Sequence, residues 1–105
     1  MRGTYPGGLT GERLQALARR LLVVLDDYAP MYVELRGLQG ELRRRSRVAG
    51  MHDFWDGDAI TAVRWLEDEG YVERLKGVRP MQVRPTAKGA EWAACLPAFH
   101  PEPAA

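Results

Sequence analysis

The most concentrated chemistry in the chain is Arg43-Arg44-Arg45-Ser46-Arg47, four guanidiniums within five residues. A guanidinium is planar and always charged, and its fork of N–H donors matches phosphate oxygens, so such a run can neutralise several phosphates. The plainer reading is a solvated helix end, with arginines complementing the negative pole of the helix dipole. A second basic group gathers at Lys76-Gly-Val-Arg79-Pro80, flanked by Arg74 and Arg84. A turn carrying Lys76 and Arg79 can lie along a nucleic-acid backbone or minor groove. Its alternative is the ordinary polar surface of a hairpin.

Other reactive residue types are thinly spread. His52-Asp-Phe-Trp-Asp-Gly-Asp58 gathers one histidine and three carboxylates, a set that could hold a hard metal ion. Its spacing fits no metal loop, and the second histidine, His100, lies in the tail, so loop and helix-capping roles are expected and no metal site. Cys95 has no neighbouring histidine or acid to activate it and reads as a small buried residue. No nucleophile, base and orienting group come together along the chain, so catalysis is not expected, nor a cofactor. Of the three tryptophans, Trp55 (with Phe54) and Trp92 read as core residues. Trp65 falls off its helix's apolar stripe and, with Ile60 and Val78, could form an exposed patch for a protein partner.

The elements that must position these groups follow from periodicity. Apolar residues at Leu14, Leu17, Ala18, Leu21, Leu22, Leu25 and Tyr28 define a helix over 10–28, with Thr10 as its cap and Pro30 as its stop. Val23 and Val24 widen its stripe beyond what a small core should need. A short extended segment over 31–35 leads to a second helix over 36–45, with Leu35, Leu38 and Leu42 inward. A long connection, 46–57, precedes a third helix that Asp58 caps and Gly70 ends. The period then changes to two. Strands over 71–76 and 81–85 flank the turn at Gly77, and Thr86 opens a last helix running to Leu96. Residues 1–9 read as a loose arm and 97–105 as an extended, proline-rich tail around a domain at 10–96.

One domain is what 105 residues can build, and 46% hydrophobic with 28% charged residues is globular rather than disordered composition. No apolar run reaches the roughly 20 residues of a membrane span. With no signal-length apolar core at the start and one cysteine, the chain reads as cytoplasmic. Net charge is only +1, yet it is unevenly placed: residues 1–50 hold nine arginines against five acids, residues 51–105 six basic residues against nine acids. Such a chain can carry a basic face despite its small total.

Helix, short strand, helix, helix, hairpin, helix is mainly α with a small β-hairpin, the order of a winged helix-turn-helix. The stretch Ala62 to Trp92 resembles the second half of bacterial regulators of the MarR and PadR type. Leu66, the acids Glu67 to Glu69, Gly70 and Tyr71 occupy the end of the recognition helix and the opening of the wing. Thr86-Ala-Lys-Gly89 matches the Thr-x-Lys-Gly that starts the following helix. The resemblance implies a DNA-binding transcriptional regulator. Arg43, Arg44, Arg45, Arg47, Lys76 and Arg79 would hold phosphates of double-stranded DNA, and Thr61, Arg64 and Trp65 would meet the groove. The flanking acids Asp53, Asp56, Asp58, Glu67, Asp68 and Glu69 work against that by repelling phosphates. A homodimer through helix 10–28 is expected, because such regulators read paired half-sites. The rival reading is a winged-helix adaptor that docks a protein through Ile60 and Trp65.

Overall fold

Helix α1 (Gly11–Tyr28) organises the fold, and its sequence says why. Leu14, Leu17, Ala18, Leu21, Leu22, Val24 and Leu25 recur at three- and four-residue spacing, and all are buried. A computed structural model, which describes residues 11–51 and 56–95 and leaves aside the Asp56 side chain, sets this helix against α2, α3, α4 and the central strand. Burying a Leu or Val side chain contributes about 1.5–3 kcal/mol, against at most about 1 kcal/mol for an exposed ion pair. The stripe of α1 therefore outweighs the surface charge pairs in holding the fold. Among the described residues this stripe is packed inside the chain, with Val23 only partly buried beside it. The large hydrophobics exposed among the described residues are Tyr28, Met31 and Val48; Tyr28, expected to close the α1 stripe, is 37% exposed at its end.

Two extended residues, β1 (Val33–Glu34), lead into α2 (Leu35–Val48). Strands β2 (Val72–Arg74) and β3 (Gln82–Pro85) form the hairpin, and α4 (Ala87–Cys95) follows it. The sheet is antiparallel in the order β1-β3-β2, with Val33 opposite Val83 and Glu73 opposite Arg84. The described chain is thus mainly helical with a small three-stranded sheet. The extended segment expected over 31–35 shortens to two residues, yet it is a true strand of the sheet. Leu35 N–H adds a bond to Met81 O (3.0 Å) beyond it.

The largest corrections fall between α2 and α3. Helix α2 runs to Val48 rather than stopping at Arg45, so Arg43 to Arg47 lie inside it, not beyond it. Its buried row is Leu38, Leu42 and Ser46, four residues apart; the serine continues the stripe that the leucines begin. The helix ends at Gly50, whose φ of 73° suits glycine, with Gly50 N–H on Arg47 O (3.0 Å) and Met51 N–H on Ser46 O (2.7 Å). Helix α3 (Asp56–Asp68) begins earlier than expected, and Asp58 is not its cap. Asp58 is 3% exposed within the helix, on the row of Ala62 and Leu66. Among the described residues Arg20 of α1, at 2%, is the other charged residue buried this deeply, and neither is without a partner. The arm 1–9, the Thr10 cap, His52, Asp53, Phe54, Trp55, Leu96 and the tail 97–105 with His100 lie outside the described residues.

Candidate nucleic-acid interface

The arginine run divides once it is wound on a helix. Successive residues turn by about 100°, so Arg43 and Arg47 share a line with Arg36 and Gly40, all four exposed. Arg45 turns toward α1, while Arg44, its side chain 65% exposed, pairs with Glu41 on its own helix. Arg45 pairs with Asp27 at the end of α1 and reaches Glu41 at 3.8 Å, and its own side chain is only 23% exposed. Arg44 donates to Glu41 Oε1 at 2.5 Å, and Tyr28 Oη donates to Glu41 Oε2 at 2.9 Å. Arg44's hydrogen bond, then Tyr28's, holds the Glu41 carboxyl below its ordinary value. That carboxylate in turn raises the Tyr28 phenol and the Arg44 guanidinium. Arg45 is therefore engaged in the α1–α2 junction, whereas Arg36, which the sequence reading passed over, joins the outward row. A line of arginines at seven- and four-residue spacing was the signal that could have found it.

Helix α3 presents Gly57, Arg64 and Asp68 outward, with Ile60 and Thr61 half-buried at the margins of that face. Among the described residues Arg64 makes no ion pair or side-chain hydrogen bond. Thr61 Oγ1 donates to Gly57 O at 3.2 Å. Trp65 is not part of an exposed patch with Ile60 and Val78, themselves half-buried. Its indole stacks on Tyr71 (ring centroids 5.8 Å apart) and lies 6.0 Å from Trp92, with the whole group packed on the core. Arg19 and Lys88 cap it, over Trp92 and Tyr71 at 5.3 and 4.5 Å.

Helix α3 stops at Gly70 (φ 80°), where Gly70 N–H bonds Glu67 O (3.1 Å) and Tyr71 N–H bonds Leu66 O (2.8 Å). The next residue enters the hairpin. Thr86-Ala-Lys-Gly89 clamps α4 onto this turn. Thr86 Oγ1 donates to Gly70 O (2.7 Å) and accepts from Gly89 N–H (3.2 Å), and Lys88 Nζ donates to Glu69 O (2.7 Å). Gly89 admits the Tyr71 carbonyl so closely that a Cβ would collide with it. The Thr-x-Lys-Gly segment is thus a structural lock between the Glu69–Tyr71 turn and the last helix.

The hairpin's four cations also divide. Arg74 forks onto Glu67, Nη2 at 2.7 Å and Nε at 3.1 Å, which neutralises an acid at the end of α3 and ties the hairpin to that helix. Arg84 donates to Glu73 (2.5 Å) and Pro30 O (3.3 Å) and lies over Tyr32 at 4.5 Å; the Glu73 hydrogen bond raises its pKa. Lys76 and Arg79 are exposed and, among the described residues, unpaired. Of the flanking acids, Glu67 is thus offset and Asp58 buried, leaving Asp68 exposed and Glu69 half-buried. Cys95, expected to be buried, is exposed, its thiol donating to Glu91 O (3.3 Å). Among the described residues no helix is long and apolar enough to cross a membrane. Comparison with protein-family models, curated proteins and solved structures returns no match.

Proposed function

We propose that this chain is a winged helix-turn-helix that binds double-stranded DNA, as a transcriptional regulator does. One observation carries the reading. The outward face of α3 bears Arg64, with Thr61 at its margin, and the helix stops directly against a hairpin whose tip carries Lys76 and Arg79, all three cations unpaired among the described residues. The element order and the β1-β3-β2 sheet support it, since α2 and α3 then form the helix-turn-helix and β2 and β3 the wing. In this reading Arg36, Arg43 and Arg47 meet phosphates beside the groove while Lys76 and Arg79 follow the backbone next to it. Trp65 acts from behind, seating α3 on Tyr71 and Trp92, rather than touching bases.

Fluorescence anisotropy on a labelled random-sequence duplex tests this over a range of salt. Each phosphate contact contributes about 0.9 to the slope of log affinity against log salt. Replacing Arg36 and Arg47 by Ala should reduce the slope by about two and weaken all duplexes alike. Arg45→Ala should leave the slope nearly unchanged, because Asp27 and Glu41 already engage its guanidinium. No salt-sensitive duplex binding even at low salt would refute the proposal. Capture of a protein partner that is lost with Ile60→Ala would then favour the adaptor reading.

A further inference from the structure

The outward strip of α3 has a chemical pattern beyond its charge. At 100° per residue, Ile60 and Thr61 flank Arg64 on either side, one turn toward the helix start, and Gly57 lies between them. Among the described residues nothing stands within 4 Å of where a Gly57 Cβ would be. Threonine carries two groups on Cβ, a hydroxyl and a methyl. Here the hydroxyl is turned back onto Gly57 O at 3.2 Å, so the methyl is the branch left to meet a partner. The strip therefore offers one five-donor cation between two apolar groups. Major-groove edges answer these separately: guanine presents O6 and N7 acceptors to a forked guanidinium, and thymine alone presents a C5 methyl to an apolar contact.

Resting on the DNA-binding reading above, we infer that α3 selects duplexes in which a guanine and a thymine lie close together. Arg64 takes guanine O6 and N7, and the Thr61 methyl, with Ile60 beside it, packs on the thymine C5 methyl. The separation follows from helix geometry. Three residues rise about 4.5 Å along α3, and base pairs are spaced about 3.4 Å, so the two bases fall within about two base pairs of each other. Thr61 is then a specificity residue through its methyl, not its hydroxyl.

The test is a selection by the full chain from a random-sequence duplex pool. The enriched duplex is then remade with deoxyuridine in place of thymidine, which deletes the C5 methyl and nothing else. Enriched sequences should share a guanine and a thymine at that spacing, and uracil replacement should weaken binding about fourfold per contacted methyl. Thr61→Ser keeps the hydroxyl and loses the methyl. It should bind the thymidine duplex about fourfold more weakly and be indifferent to uracil. Thr61→Val keeps the methyl and should retain the preference. Arg64→Ala should lose the guanine from the enriched sequence and about tenfold in affinity for it. Salt-sensitive binding with no such enrichment, or with equal affinity for thymidine and uracil duplexes, overturns this inference and leaves the DNA-binding reading standing. Absence of salt-sensitive binding to any duplex overturns both.

Discussion

Replacing a helical glycine by alanine normally stabilises a helix, yet at Gly89 the sign should reverse. A Cβ there would collide with the Tyr71 carbonyl oxygen, and would stand 3.0 Å from its carbon and 3.1 Å from Leu22 Cδ2. The carbonyl cannot swing aside, because Tyr71 N–H is fixed to Leu66 O (2.8 Å) and its oxygen accepts from Thr86 N–H (3.0 Å). Helix α4 must instead retreat by on the order of 1 Å to restore ordinary contact. Retreat stretches the bonds from Thr86 and Lys88 to the Glu69–Tyr71 turn, each contributing about 1 kcal/mol, and strained packing adds about 1–3 kcal/mol. Helix propensity returns about 1 kcal/mol. The net loss is about 2–4 kcal/mol, a fall in melting temperature of about 10–25 °C for a domain of this size. Gly40→Ala supplies the control: nothing stands within 4 Å of its Cβ position on the exposed side of α2, so it should gain about 1 kcal/mol. Thermal melts followed by far-UV circular dichroism read both. If Gly89→Ala melts at or above the unsubstituted protein, the close seating of α4 on the turn is wrong.

Three further outcomes concern α2 and its junction with α1. Ser46 is buried and its hydroxyl has no hydrogen-bond partner, so Ser46→Ala removes an unsatisfied polar atom and should raise stability by about 1 kcal/mol, measured as a higher urea midpoint. Glu41 is held below its ordinary value of 4.5 by Arg44 first and Tyr28 second, so its stabilising effect is present above that pH and disappears as pH falls through the folded value. Urea midpoints between neutral and acid pH should therefore drop less steeply in Glu41→Gln, and an unchanged profile would count against the junction. The Tyr28 phenol is raised above 10.0, chiefly by its hydrogen bond to the same carboxylate. Its share persists below pH 10.0 and disappears as pH climbs through the folded value, an effect Tyr28→Phe should abolish.

Much of the fold was legible because its signals are local. Leucines at helical spacing in α1, the change of period at Gly70 and the Thr86 cap depend on residues within a turn or two of each other, and each lies where its spacing indicates. The misplaced boundaries have a common cause. Polar residues on a buried row disguise it: Ser46 continues the Leu38–Leu42 row, and Asp58 opens that of Ala62 and Leu66. Read as polar, they suggested an early stop for α2 and a late cap for α3. Gly50 was the stop that the connection concealed.

The sequence by itself determined the element types, the helix–helix–hairpin order and the supply of cations, since periodicity, turn residues and charge are written in neighbouring letters. Only the tertiary structure decided which cations face outward. Arg45 meets Asp27, 18 positions away; Arg74 meets Glu67 across the turn; Trp65 of α3 meets Trp92 of α4. Arg45, its side chain 23% exposed, is drawn into the α1–α2 junction, whereas Arg44 beside it, at 65%, stays largely in solvent. The difference is a rotation of about 100°, which composition does not carry and three-dimensional packing does.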